Sequence, residues 1–301
     1  MAMPAAAWDL GGRVALITGA GRGIGAGLAE QLARRGMRLA LVDLDEASLH
    51  ETAQRCGDLA EPFVADVSDL ESLMATVEAT LSRFGSLDVA VANAGVASSG
   101  PILDVDPDAF DRTIDINLLG VWRTARATLP AIVRRRGYFV AVASLAAFAH
   151  APMMGAYAAS KAGVFAFCNT IRLEMRRHGV DVGAACFGFV RSSMVAESER
   201  RKAFQELLAT FPSPVGKVLP VEGAVNALVS GIEHRRRMIA YPRWVSVASL
   251  FPRLLNMPEL SGRTLRALPD LERQWREEAA ATDALEASVP PGAPSIPFRR
   301  R

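Results

Sequence analysis

The run "VALITGAGRGIG", residues 14–25, decides how the rest of the chain is read. Its first five residues are aliphatic or β-branched, the length and composition of a buried strand. They pass directly into a turn with glycine at 19, 21, 23 and 25, and a helical pattern over 23–35 follows. Glycine lets the backbone turn tightly and approach an anion with no Cβ in the way. The free N–H groups of the following helix direct a partial positive charge at that anion. Strand, glycine turn and helix in that order predict the first unit of a parallel sheet, with a pyrophosphate site at its carboxyl end. The spacing is T-G-x-x-x-G-x-G rather than G-x-G-x-x-G, because Ile24 stands where the latter needs glycine. Taken alone, the motif also fits a tight turn that binds nothing.

Beyond residue 35 the same alternation repeats. Apolar runs at 38–43 (RLALVD), 62–66 (PFVAD), 87–93 (LDVAVAN), 138–144 (YFVAVAS) and 180–187 (VDVGAACF) read as strands, with a weaker seventh at 237–242 (RMIAYP). Segments of helical spacing lie between them at 45–56, 69–84, 107–135, 156–178 and 222–235. Strands that are apolar on both faces and separated by helices predict a doubly wound α/β Rossmann fold: a parallel seven-stranded sheet with helices on both faces. Residues 11–245 form this domain, after an N-terminal tail at 1–10.

Two segments break the alternation. Residues 191–220 are polar and helix-prone and enter after the sixth strand, where they would hang over the strand ends as a mobile lid. An ordinary surface excursion is the alternative. Residues 246–301 form an extension that starts apolar and basic ("SVASLFPRLLNM"), continues as a charged helix ("DLERQWREEAAATDALEA") and ends in "SVPPGAPSIPFRRR". Its last dozen residues, rich in Pro and Gly, are expected to be disordered. Its apolar start is expected to cover a neighbouring subunit, with a membrane surface as the alternative.

Composition excludes several functions. The chain of 301 residues is 50% apolar and 22% charged, ordinary values for a globular protein. Its formal net charge of +2 comes from arginines scattered among nearly as many carboxylates, which gives no nucleic-acid footprint. Three cysteines without a C-x-x-C and four isolated histidines provide neither a disulfide framework nor a metal site. The N-terminus lacks the pattern of a signal peptide. No run reaches the roughly 18 apolar residues of a spanning helix. A cytoplasmic, reducing compartment is expected.

The chemistry gathers late in the domain. The chain has only three tyrosines and three lysines, yet "YAASK" (157–161) places one of each at i and i+4, on one face of a helix. Ser144 ends the fifth strand thirteen residues earlier, and Asn117 lies within the helix predicted over 107–135, although Asn is a poor helix former. Singly, Ser144 reads as a core hydroxyl and Asn117 as a helix-surface residue. Asp43 ends the second strand, where a carboxylate accepts both adenosine ribose hydroxyls and repels a 2′-phosphate. Asp43 or Asp45 could instead cap the next helix.

The glycine spacing of residues 18–25, "NAG" at 93–95, and Ser144, Tyr157 and Lys161 with Asn117 together resemble the short-chain dehydrogenase/reductase family. The resemblance spans residues 11–245. It implies hydride transfer between an alcohol carbon and a nicotinamide, catalysed by an Asn117-Ser144-Tyr157-Lys161 tetrad. Tyr157 would be the general acid and base. Lys161 would lower its pKa and hold the nicotinamide ribose, Ser144 would bind the substrate oxygen, and Asn117 would hold a proton-relay water.

The resemblance also implies a cofactor site. Gly19, Arg22, Gly23, Ile24 and Gly25 would take the pyrophosphate, and Asp66 and Val67 would flank the adenine. Asn93, Ala94 and Gly95 would line the cofactor, although Asn93 could simply stabilise its turn, and Ala92 departs from the family's N-N-A-G. Val190 and Ser192 would hold the carboxamide within "FGFVRS" (187–192), which replaces the family's P-G-x-V-x-T. Asp43 favours NAD, and Arg22 keeps NADP as the less favoured alternative.

Leu145, Phe148, Met153, Phe187, Phe189 and Met194 are the candidate substrate-pocket residues, each equally compatible with simple core. Their apolar character predicts a hydrophobic secondary alcohol or ketone. A homodimer or homotetramer is expected from the family. Two other functions stay open: a catalytically silent nucleotide-binding regulator on the same fold, and a sugar-nucleotide epimerase or dehydratase, which the 18–25 spacing disfavours.

Overall fold

In the computed structural model, which describes residues 7–257, 262–280 and 288, the strand predicted at 14–18 is β1 (Val14–Thr18) and lies at the centre of the sheet. β2 (Arg38–Asp43) and β3 (Ala60–Val64) pair on one side of it. β4 (Val89–Ala92), β5 (Tyr138–Val142), β6 (Asp181–Phe187) and β7 (Met238–Tyr241) follow on the other, giving the order β3-β2-β1-β4-β5-β6-β7 with every pairing parallel. The chain reverses its direction of progress between β1 and β4. The diverging connections at that switch point leave a crevice at the carboxyl ends of the strands.

Alternate residues of each strand enter two separate cores. Val14 and Leu16 of β1 face α3 (Leu70–Phe84), α5 (Gly120–Arg135) and α6 (Gly155–Arg176). Ala15 and Ile17 face α1 (Gly23–Ala33), α2 (Glu46–Cys56) and α9 (Val221–Glu233). This two-sided burial is why the strands read as unbroken apolar runs instead of alternating ones.

Two elements differ from the expectation. β3 begins at Ala60 and carries Pro62 in mid-strand, opposite Leu41. As the edge strand it can accommodate a residue without an N–H to donate outward. The helix predicted over 107–135 is α4 (Pro107–Ile114), a π turn over Asp115–Leu119, and α5. Residues 191–220 hold α7 (Ser193–Ser198) and α8 (Lys202–Thr210).

The extension forms α10 (Trp244–Ala248), α11 (Pro252–Leu255) and α12 (Gly262–Ala280), the last running through Pro269. Its apolar start leaves Val247, Leu250, Phe251 and Leu254 exposed, whereas Leu271 and Trp275 of α12 are buried. The expected tail at 1–10 is docked from residue 7 onward: Trp8 stacks between Arg13 and Arg235, and Leu10 is buried. Residues 1–6, the end of the helix predicted to 287 and the last dozen residues, expected to be disordered, lie outside the described residues. Among the described residues, no helix is long and apolar enough to cross a membrane.

Candidate functional site

A cleft of about 230 Å³ opens at the carboxyl ends of the strands, centred on the switch point. Its floor is the glycine loop. Gly19 has φ +66°, and a Cβ there would come within 2.8 Å of the Ala94 Cα. A Cβ on Gly25 would come within 2.0 Å of the Gly19 carbonyl oxygen, so Gly25 packs the helix against the turn and does not line the cleft. On Gly95 it would stand 3.1 Å from Asn117 Oδ1 and 3.5 Å from Lys161 Nζ. These glycines leave a backbone cradle that any side chain would fill, which suits a diphosphate and the ring systems it carries.

Asn93 holds this cradle together. Its side-chain amide donates to the carbonyls of Thr18 and Gly19, both at 3.0 Å, and its backbone N–H donates to Thr18 Oγ1. The turn-stabilising alternative therefore describes what its amide nitrogen does. Ala94, Gly95, Arg22, Gly23 and Ile24 line the cleft with it. Asp43 also faces the cleft. Its carboxylate accepts from Gly21 N–H at 2.8 Å and Asp45 N–H at 3.1 Å. Asp45, not Asp43, caps α2 by accepting from Ser48, and those bonds hold its carboxyl below the ordinary range. Asp66 accepts from Ser68 N–H and lines the adjacent wall with Val67.

Ser144, Tyr157 and Lys161 stand on the opposite wall. Lys161 is buried, and its Nζ donates to the Val142 carbonyl at 2.9 Å and lies 5.7 Å from the centre of the Tyr157 ring. Burial lowers its pKa to about 8. Burial raises the pKa of Tyr157, and a hydrogen bond with Ser144 opposes that rise. Burial outweighs that hydrogen bond and favours the phenol over the phenolate.

Asn117 lies behind this wall, fully buried on the π turn, and Ile116 lines the cleft in its place. Its Oδ1 accepts from Val96 N–H at 2.8 Å, and its amide donates to Val96 O and Ser160 Oγ at 2.9 and 3.1 Å. Both amide hydrogens are thus engaged within the protein. The geometry makes Asn117 a clamp on the 95–97 segment and leaves its side-chain donors unavailable to a relay water.

The six apolar candidates separate. Phe187 and Met194 line the cleft. Leu145 and Phe148 belong to the core, with Phe148 edge-on to Phe165 at 4.7 Å. Phe189 lies between Phe204 and Phe211 of the 191–220 segment. Met153 lines a second cavity. Val190 and Ser192 reach the cleft, Val190 pairing with Leu219 and Ser192 capping α7. Glu197 of α7, absent from the sequence-based set, also lines the cleft and pairs with Arg22 at 3.3 Å. No local pattern could have revealed a contact between residues so distant in the chain.

A family model described as short chain dehydrogenase matches residues 13–203. "Probable oxidoreductase EphD" of Mycobacterium tuberculosis is 37% identical over 185 residues, covering 60% of this chain and 31% of that protein. The match therefore spans about a third of that relative's length. "11-beta-hydroxysteroid dehydrogenase A" of Sesamum indicum is 33% identical over 249 residues, covering 79% of this chain and 71% of the relative. The crystal structure of a short-chain dehydrogenase/reductase from Burkholderia phymatum in complex with NAD matches with a TM-score of 0.73 at 26% identity, over 83% of this chain and 98% of that one.

Proposed function

The chain belongs to the short-chain dehydrogenase/reductase family of oxidoreductases, and from that premise we propose that it interconverts a hydrophobic secondary alcohol and its ketone with NAD. The observation that carries this reading is the single cleft with Asp43 and the glycine cradle at one end and Ser144, Tyr157 and Lys161 at the other. Nicotinamide bound there would supply the donor or acceptor of hydride.

The residues divide the remaining work. In reduction, Tyr157 starts as a phenol and donates its proton to the carbonyl oxygen, while the Ser144 hydroxyl stabilises the charge that develops on that oxygen. In oxidation, Tyr157 must lose its proton first. The Lys161 ammonium, together with the positive charge of an oxidised nicotinamide, favours the phenolate. Asn117 acts as a positioning residue, fixing the 95–97 segment over Lys161 through Val96.

Two observations support NAD over NADP. A carboxylate has about four lone-pair sites. Asp43 uses two of them on backbone N–H groups, which leaves two for the ribose hydroxyls. Arg22, the basic side chain that could meet a 2′-phosphate, is engaged by Glu197. Phe187 and Met194 provide the apolar wall that favours a hydrophobic substrate. The sesame relative is named for a hydroxysteroid, which puts alicyclic alcohols on the test panel.

Turnover of aliphatic, alicyclic and steroid alcohols with NAD and with NADP tests the reading. Reduction of NAD with at least one hydrophobic secondary alcohol is expected. Activity with NADP alone would overturn the cofactor assignment. NAD binding without turnover of any alcohol or ketone would favour a silent nucleotide-binding protein.

A further inference from the structure

A second cavity, of about 350 Å³, lies beside the cleft and falls in the range of roughly 300–1,000 Å³ typical of small-molecule sites. The two share a boundary. Val96 and Ala97 line the cleft, while Ser98 to Ile102 line the cavity. Tyr157 lines the cleft, while its neighbour Ala156 lines the cavity. A carbonyl held by Ser144 and Tyr157 would therefore sit next to it. The third wall comes from α12, through Leu268 and Glu272. That helix lies outside residues 13–203, which the family model matches.

Firm contacts place α12 there. Trp275 packs so closely on Gly100 that a Cβ at position 100 would lie 2.8 Å from the indole. Arg276 pairs with Asp104 at 2.8 Å. On its other side α12 meets the segment above the cleft: Glu278 accepts from Ala203 N–H at 3.2 Å, and Gln274 donates to Glu206 at 2.7 Å. The helix thus ties α8 to the loop after β4. A further bond, from Gly100 N–H to Met153 O at 2.8 Å, joins the remaining walls.

The lining selects by polarity. Pro101, Ile102, Val105, Phe110, Met153 and Leu268 are apolar. The Ser98 hydroxyl is already bonded to Thr113 at 2.8 Å. Glu272 and Asp104 share one guanidinium, that of Arg276, so this corner has a surplus of negative charge, and the described lining residues include no cation to receive an anion.

We propose that this cavity is a second substrate subsite, built by the C-terminal helix, that takes the neutral apolar tail of the alcohol or ketone. Leu268 sets its depth, and Glu272 turns away tails that end in an anion. The proposal rests on the oxidoreductase reading above.

The test uses the full chain with NADH and straight-chain methyl ketones from butan-2-one to dodecan-2-one. Transfer of one methylene into an apolar site is worth about fourfold in kcat/KM, so kcat/KM is expected to climb by about that factor per carbon until the cavity is full. Leu268→Trp should flatten the climb. Ala151→Leu, on the opposite wall, should flatten it in part and serves if the first variant fails to fold, with NADH fluorescence reporting an intact cleft. Dodecan-2-one bearing a terminal carboxylate should lose the gain, and Glu272→Gln should recover some of it. A climb that persists in both wall variants, or no climb in the native chain, overturns the subsite. If no ketone is reduced, calorimetric titration of dodecan-2-one separates the two claims. Binding that Leu268→Trp abolishes supports the subsite while the carbonyl reading fails, and absence of binding overturns the subsite as well.

Discussion

Around Gly19 the walls of the site are backbone, whereas around Gly100 they are side chains. At the first, Gly19, Gly25 and Asn93 hold one another at distances that exclude a single extra carbon, and most of their hydrogen bonds involve main-chain atoms. At the second, Trp275, Arg276, Gln274 and Glu278 bring a helix from the far end of the chain against α8 and the loop after β4. The difference follows from what each end would bind. A pyrophosphate is held by N–H groups, which only a glycine-rich turn can present so closely. An apolar tail is held by enclosed volume, which many sets of side chains from distant segments can form.

Tyr157→Phe strikes where the two ends meet and carries the largest expected effect. Loss of a general acid or base lowers turnover by about 10²–10⁴-fold, while NADH affinity by fluorescence titration should be unchanged. If turnover survives, the join is not where chemistry happens.

Lys161 comes next. Burial brings its ammonium to about 8 from its ordinary 10.5. Between these values the unfolded chain holds a proton that the folded chain has released, so this group makes stability rise with pH across that window. Below pH 8 the full cost of the buried cation is present. Tyr157, whose pKa burial raises, acts in the opposite sense above about pH 10. The three buried cysteines, whose pKa values burial raises, pull stability down over the same range in both proteins. Urea unfolding of the cofactor-free chain between pH 8 and 10 should therefore show a change that is more favourable by ~2–3 kcal/mol than that of Lys161→Met. Parallel pH curves for the two proteins would remove Lys161 as the source.

Asp43→Asn sharpens the dinucleotide end. Hydrogen bonds to a charged group are worth about 1.5–3 kcal/mol, so the ratio of kcat/KM for NAD to that for NADP should fall by about 10- to 100-fold. An unchanged ratio would leave Asp43 as a structural acceptor for Gly21 and Asp45. Glu197→Gln, which cuts the tie between α7 and the glycine loop, has the smallest expected effect. Arg22 is 41% exposed, and such ion pairs contribute about 0.2–1 kcal/mol. NAD affinity should shift by less than about fivefold, measured by titration at low and high salt.

The parts of the site readable in advance are those whose chemistry demands a local spacing. Tyr157 and Lys161 share a helix face because they are four residues apart, and the glycine loop follows its strand without a break. Asn117 was legible as a residue but not in its setting. Its side chain clamps Val96, and the π turn that carries it leaves no mark in composition. Leu145 and Phe148 read the same as Phe187 and Met194, since an apolar residue in a core and one in a pocket wall satisfy the same preference. Pro62 reads as the start of a strand, and only its edge position explains why the strand begins before it.

By itself, then, the sequence determined the seven-stranded doubly wound sheet, the phosphate turn and the Ser144, Tyr157 and Lys161 group, because strand burial, helix periodicity and glycine geometry act over a few residues. Tertiary structure alone decided which apolar side chains face a cavity, that Glu197 closes on Arg22, and that α12 walls the second cavity. Those contacts join residues 172 apart for Arg276 with Asp104 and 175 apart for Arg22 with Glu197. Contacts over such separations arise only when packing brings the segments together, and no period or motif along the chain records them.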